Sequence, residues 1–206
     1  MTTPRAAVFD IGKVLLDFDF LRAGRALSPL SDLTPPQIRE LVDHSALLFR
    51  FETGLMTTQQ FYEEVSRLSG YRGSIEQFGP AFAAIFTEIT EMTALLAEFR
   101  RRQIPTFIFS NTNVLAVEYM LRQYPFLSGF DGYIFSYQVG AMKPNAPIYE
   151  ALEKLSGLSG SDLFYMDDRP ENVAAGVARG WHGHVHSDPK ATWQIARSLF
   201  GWPESA

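Results

Sequence analysis

The chain has 206 residues, a formal net charge of -5, 46% hydrophobic and 20% charged residues, and no cysteine. That composition excludes wholesale disorder, and the absence of thiols excludes disulfides, Cys-ligated zinc, iron–sulfur clusters and a cysteine nucleophile. The acidic balance argues against nucleic acid and anionic membranes as partners, because both call for a basic surface.

In chain order, the apolar run Ala6-Ala7-Val8-Phe9 predicts a strand that stops at Asp10. The run is too short for a signal-peptide core, and no uninterrupted apolar stretch reaches the ~18 residues of a membrane span, so a cytoplasmic protein is expected. Residues 18–89 carry no convincing strand run but four helix candidates, at 20–27, 36–49, 58–68 and 75–86. Thr57 and Thr58 ahead of Gln60 and Glu63 supply a capping signal there. We read 18–89 as a small helical cap inserted after the first strand, and 1–17 with 90–206 as the core. In the core, strand candidates at 104–109, 133–135, 163–166 and 183–186 alternate with helix candidates at 91–102, 114–122, 147–155 and 172–179. This rhythm predicts an α/β fold, a parallel sheet with helices on both faces.

Three of these strands run into a polar residue at their carboxyl ends: Asp10, Ser110 and the pair Asp167-Asp168. In an open parallel sheet, ligands bind beyond those ends, so residues far apart in sequence are expected to converge. Lys143-Pro144 lies between the last two.

These residues resemble the haloacid dehalogenase-like (HAD) superfamily. Phe9-Asp10-Ile11-Gly12-Lys13-Val14 is similar to its first motif and Phe109-Ser110-Asn111-Thr112-Asn113 to its second. Lys143-Pro144 with Ile148-Tyr149 resembles the third, and Met166-Asp167-Asp168-Arg169-Pro170-Glu171-Asn172, running on to Gly176 and Gly180, the fourth. The resemblance covers residues 5–190 or so and is strongest to small-capped sugar-phosphate phosphatases such as α-glucose-1-phosphate phosphatase. It implies a Rossmann-like core and a phosphatase acting on a small phosphorylated metabolite.

The residue chemistry points the same way. A carboxylate such as Asp10 can attack phosphorus and form an aspartyl-phosphate, splitting one hard hydrolysis into two steps. Nucleophile and phosphate are both anionic, so a cation is needed, and Mg²⁺ held by one or two carboxylates suits the task. Asp168 is the expected second carboxylate ligand; the resemblance adds the backbone carbonyl of Gly12. Asp167 either orients this set or replaces Asp168 in it. Lys143 supplies a compact positive charge for phosphate and nucleophile. Ser110 can donate its hydroxyl to phosphate, and the Asn111 backbone N–H can join it, although both residue types also cap helices.

One departure stands out. Superfamily phosphatases usually carry an acid two residues after the nucleophile, and here that position is Gly12. The Asp17-Phe18-Asp19 triplet is a second D-x-D, but Phe20-Leu21-Arg22 lacks the small residues expected after a nucleophile. A metal-independent 2-haloacid dehalogenase would tolerate Gly12 but does not need Asp167-Asp168. A catalytically weakened protein that binds a phosphorylated ligand or a partner is the third reading. Selectivity is expected from cap residues 49–55 and 82–86. His182, His184 and His186 share one face of a strand, where packed imidazoles are a better expectation than a metal site.

Overall fold

The computed structural model describes residues 2–203. Five parallel strands form the main sheet in the order β5-β4-β1-β6-β7. They are β1 (Ala6–Phe9), β4 (Thr106–Ser110), β5 (Gly132–Phe135), β6 (Leu163–Asp167) and β7 (His182–Val185). β1 is central, paired in parallel with β4 and β6, and its four residues are fully buried. The alternation of side chains along a strand splits them between two apolar layers. Ala7 and Phe9 join Ile108, Phe164 and Met166 under α6 (Thr90–Arg101), α7 (Val114–Gln123) and α11 (Pro189–Phe200). Ala6 and Val8 join Phe107, Phe109 and Tyr165 under α9 (Ala146–Ser156) and α10 (Pro170–Ala178). This is the predicted Rossmann-like α/β core.

Between β1 and β4 the chain leaves the sheet. A two-stranded antiparallel ribbon, β2 (Leu16–Phe18) with β3 (Phe86–Glu88), flanks five helices: α1 (Phe20–Leu27), α2 (Pro35–Val42), α3 (Ala46–Glu52), α4 (Thr58–Ser69) and α5 (Ile75–Ala83). These helices close around an apolar cluster of their own, with Phe51 stacked on Phe61 at 4.3 Å and Phe78 on Phe82. Thr57 forms the expected capping box with Gln60.

Two local expectations change here. The helix expected over 36–49 is broken, because α2 ends at Val42, His44 turns left-handed (φ 54°), and Ser45 caps a new helix through the Leu48 N–H. The stretch expected to contain no strand ends in β3, whose three residues are too few to show a period-2 pattern.

Candidate active site

Asp10 leaves the end of β1 and Asp167 the end of β6, its immediate neighbour, so both carboxylates sit over the same edge of the sheet. Lys143, in the loop before α9, reaches between them. Its Nζ lies 3.1 Å from Asp10 Oδ1 and 2.6 Å from Asp167 Oδ2, and donates to the Phe109 carbonyl at 2.8 Å. The rings of Phe109 and Tyr165 flank the ammonium at 5.1 and 5.8 Å. Its position is set by Asn111, whose side chain holds the Lys143 backbone from both sides. Asn111 Nδ2 donates to the Lys143 carbonyl at 3.0 Å, and the Lys143 N–H donates to Asn111 Oδ1 at 2.8 Å.

Asp167 is saturated. Oδ2 accepts from Lys143 and from the Tyr165 hydroxyl at 2.5 Å; Oδ1 accepts from the Arg169 N–H at 2.9 Å and from Asn172 Nδ2 at 3.0 Å. Burial pushes this carboxyl up, but Lys143 and these donors outweigh it and hold the pKa below the ordinary value. Asp10 is the opposite case. Burial, with Asp167 and Asp168 adding, outweighs Lys143 and the Ile11 N–H and raises it to about 7. Asp168, half-buried, is raised by burial and by Asp167. Burial alone would lower Lys143, yet Asp10 and Asp167 keep it above its ordinary value, so it stays charged.

Oxygens of Asp10, Asp167 and Asp168 lie within 4.8 Å of one another. One ammonium cannot neutralise three clustered carboxylates, and the upward pressure on Asp10 and Asp168 is the unbalanced remainder. An all-oxygen donor set short of positive charge fits a hard divalent cation such as Mg²⁺.

The candidates converge on one cavity of about 510 Å³, lined by Asp10, Gly12, Asn111, Lys143 and Asp168 below and by residues of α2 and α3 and the break between them above. Ser110 lies beside it, buried at the end of β4, its hydroxyl making only a long 3.5 Å contact with the Asn111 carbonyl. In the second triplet Asp17 pairs with Lys13, and Asp19 lines the cavity but caps α1 through the Leu21 N–H.

Part of the expected cap lining changes. Glu52, Phe82 and Phe86 do face the site, but Phe49 and Leu55 turn to solvent, and Arg39, Asp43, His44 and Leu48 line the cavity unanticipated. They sit on either side of the unforeseen break between α2 and α3. Tyr165 was also missed, although its place two residues before Asp167 on one strand face was readable. His184 Nε2 and His186 Nδ1 both contact the Thr192 hydroxyl, at 3.0 and 2.7 Å, as packed imidazoles would. No helix among the described residues is long and apolar enough to cross a membrane.

A sesquiterpene phosphatase of Aspergillus oryzae is 27% identical to the chain over 97% of its length and 98% of that protein's. A D-ribitol-5-phosphate phosphatase of Bacteroides thetaiotaomicron is 23% identical over 84% and 87%. Among solved structures, a HAD family enzyme of Bacteroides thetaiotaomicron in complex with magnesium and inorganic phosphate superposes with a TM-score of 0.79. It shares 20% identity over 89% of this chain and 94% of that one. The profile of the haloacid dehalogenase-like hydrolases matches residues 4–180. With that match taking in β1, β4, β5 and β6 and the helices between β2 and β3, the chain belongs to the haloacid dehalogenase-like hydrolases.

Proposed function

We propose that this hydrolase is a Mg²⁺-dependent phosphatase that cleaves a small phosphomonoester through an aspartyl-phosphate on Asp10. The observation that carries this reading is the cluster of Asp10, Asp167 and Asp168 against a single buried Lys143. Displacement of halide from carbon needs no such cation-demanding cluster, which disfavours the dehalogenase reading. The phosphatase relatives support the same side.

In this reading residues 18–89 are the cap and the remainder the core. Asp10, Asp168 and the Gly12 carbonyl would hold Mg²⁺, which when bound supplies positive charge shared between nucleophile and phosphate. Asp167 keeps its partners and fixes Lys143. Lys143 faces the nucleophile and balances charge on the transferred group. Ser110 and the Asn111 N–H hold phosphate oxygens. The Asp10 carboxylate attacks phosphorus, and water then cleaves the acyl phosphate.

The test is phosphate release from a panel of phosphomonoesters with Mg²⁺ and with EDTA, for the wild type and Asp10→Asn. Turnover should require Mg²⁺ and fall ~10⁴-fold or more in the variant, the scale of losing a covalent nucleophile. Wild-type-like release by folded Asp10→Asn protein would remove Asp10 from this role.

A further inference from the structure

Gly12 offers no proton to a leaving group, and a side chain there would have to push a neighbouring ring aside. A Cβ at Gly12 would come within 3.0 Å of the Phe18 ring. The cap brings three carboxylates to the cavity: Asp19, Asp43 and Glu52. Asp19 is committed to capping α1, and Asp43 is paired with Arg39 at 3.3 Å. Glu52 has no cationic partner within ion-pair distance among the described residues. It is also the one of the three that lines, together with Gly12 and Phe18, the small apolar pocket running on from the cavity past Ser110.

Its position is held by the core rather than by the cap alone. The Glu52 carbonyl accepts from Ser136 Oγ at 2.6 Å, and that oxygen in turn accepts from the Thr112 N–H at 2.9 Å. Ser136 is fully buried. The Asn113 side chain lies beside the Glu52 carboxyl and favours its charged form against burial. Asn113 Oδ1 is occupied by the Ala116 N–H at 3.0 Å, which leaves the Nδ2 donor for Glu52. A donor beside one carboxyl oxygen leaves the other to carry a proton.

We propose that Glu52 is the general acid and base of this enzyme, delivered from the cap in place of the acid missing at position 12. This rests on the phosphatase reading. As the Asp10 oxygen bonds to phosphorus, the bond from phosphorus to the leaving oxygen breaks; its electron pair stays on that oxygen, which takes the Glu52 proton. Glu52, now a carboxylate, removes a proton from water as the water oxygen attacks the acyl phosphate. The bond from phosphorus to Asp10 breaks, orthophosphate leaves, and Glu52 is again protonated.

The electrostatics agree with the geometry. Burial pushes Glu52 up to about 8, with Asp10 and Asp43 adding and Asn113 and Arg169 opposing. Asp168, Lys143 and His44 face it across the same cavity. The carboxyl is therefore protonated at neutral pH and near enough to it to give the proton up.

The decisive variant is Glu52→Gln, which keeps an acceptor for Asn113. We expect kcat/KM for an alkyl phosphate to fall ~10²–10⁴-fold, the scale of general acid catalysis. For p-nitrophenyl phosphate, whose leaving group departs as an anion, kcat/KM falls much less, while slow hydrolysis of the acyl phosphate produces a burst of p-nitrophenolate. Equal losses in kcat/KM for both substrates, or none, would overturn the proposal while leaving the phosphatase reading intact. A wild type that releases phosphate from no ester overturns both. Folding stability gives a readout independent of turnover. Between the ordinary 4.5 and about 8 the folded state holds the extra proton, so stability falls as pH rises through that window. The wild-type minus Glu52→Gln difference should carry this slope, and a difference independent of pH counts against Glu52 as the protonated acid.

Discussion

Phe18 decides what position 12 can be. Gly12 is not among the glycines with positive φ, so its backbone would accept a side chain; the obstacle is the aromatic ring. Gly12→Asp should therefore displace Phe18 and cost ~1–3 kcal/mol by overpacking, read from urea unfolding, and it should not raise turnover. Adding Phe18→Leu should recover most of that loss, and an undisturbed Gly12→Asp protein would contradict the packing. The residues over the sheet edge were legible in the sequence because a strand fixes where its end points: Ser110 and Asp167 each end one and Asp10 directly follows one. Lys143 and Asn111 were legible only through motif resemblance, and the Asn111 side-chain hold on the Lys143 backbone was not anticipated. Glu52 was expected only as one of the lining residues 49–55 and not as an acid, since a carboxylate closing an apolar helix looks like any solvated helix end. Only the fold reveals that this end abuts the core.

At the scale of elements, long apolar strands and capped helices were readable and short or broken ones were not. β2 and β3 have three residues each, below the length at which alternation can be seen. The α2–α3 break depends on a left-handed His44, a conformation that residue type does not announce. α11 was not anticipated, although Asp188 caps it and Pro189 opens it. The seam between α3 and the short helix α8 (Ser136–Val139) carries its own prediction. Gly54 has φ 75°, and a Cβ there would overlap the Tyr137 carbonyl oxygen. Gly140 has the same φ of 75° with nothing within 4 Å of its Cβ position. Both Gly→Ala changes incur the left-handed strain, of order 1 kcal/mol. Gly54→Ala adds a steric clash, so it should lose a further ~1–3 kcal/mol and also lower kcat/KM by shifting Glu52. Equal effects of the two variants would mean that the seam is looser than described.

The main sheet and the helices between β2 and β3 enclose separate apolar clusters and pack against each other, with the polar site where they meet, so that the buried charges see one another far more than they see water. Lys143 shows what this means for chemical reactivity. The chain has four lysines; Lys13, Lys154 and Lys190 are exposed, and Lys143 is 4% exposed. An amine must be both reachable and deprotonated to be acylated, and Lys143 is neither, because its carboxylate neighbours keep it protonated. Brief treatment of the folded protein with an acylating ester should label the three surface lysines and spare the fourth, as read by peptide mass spectrometry. Label at Lys143 would then appear only on molecules that had opened, which makes this residue a built-in counter of excursions from the native state. Early labelling there would mean that the site breathes far more than its packing suggests.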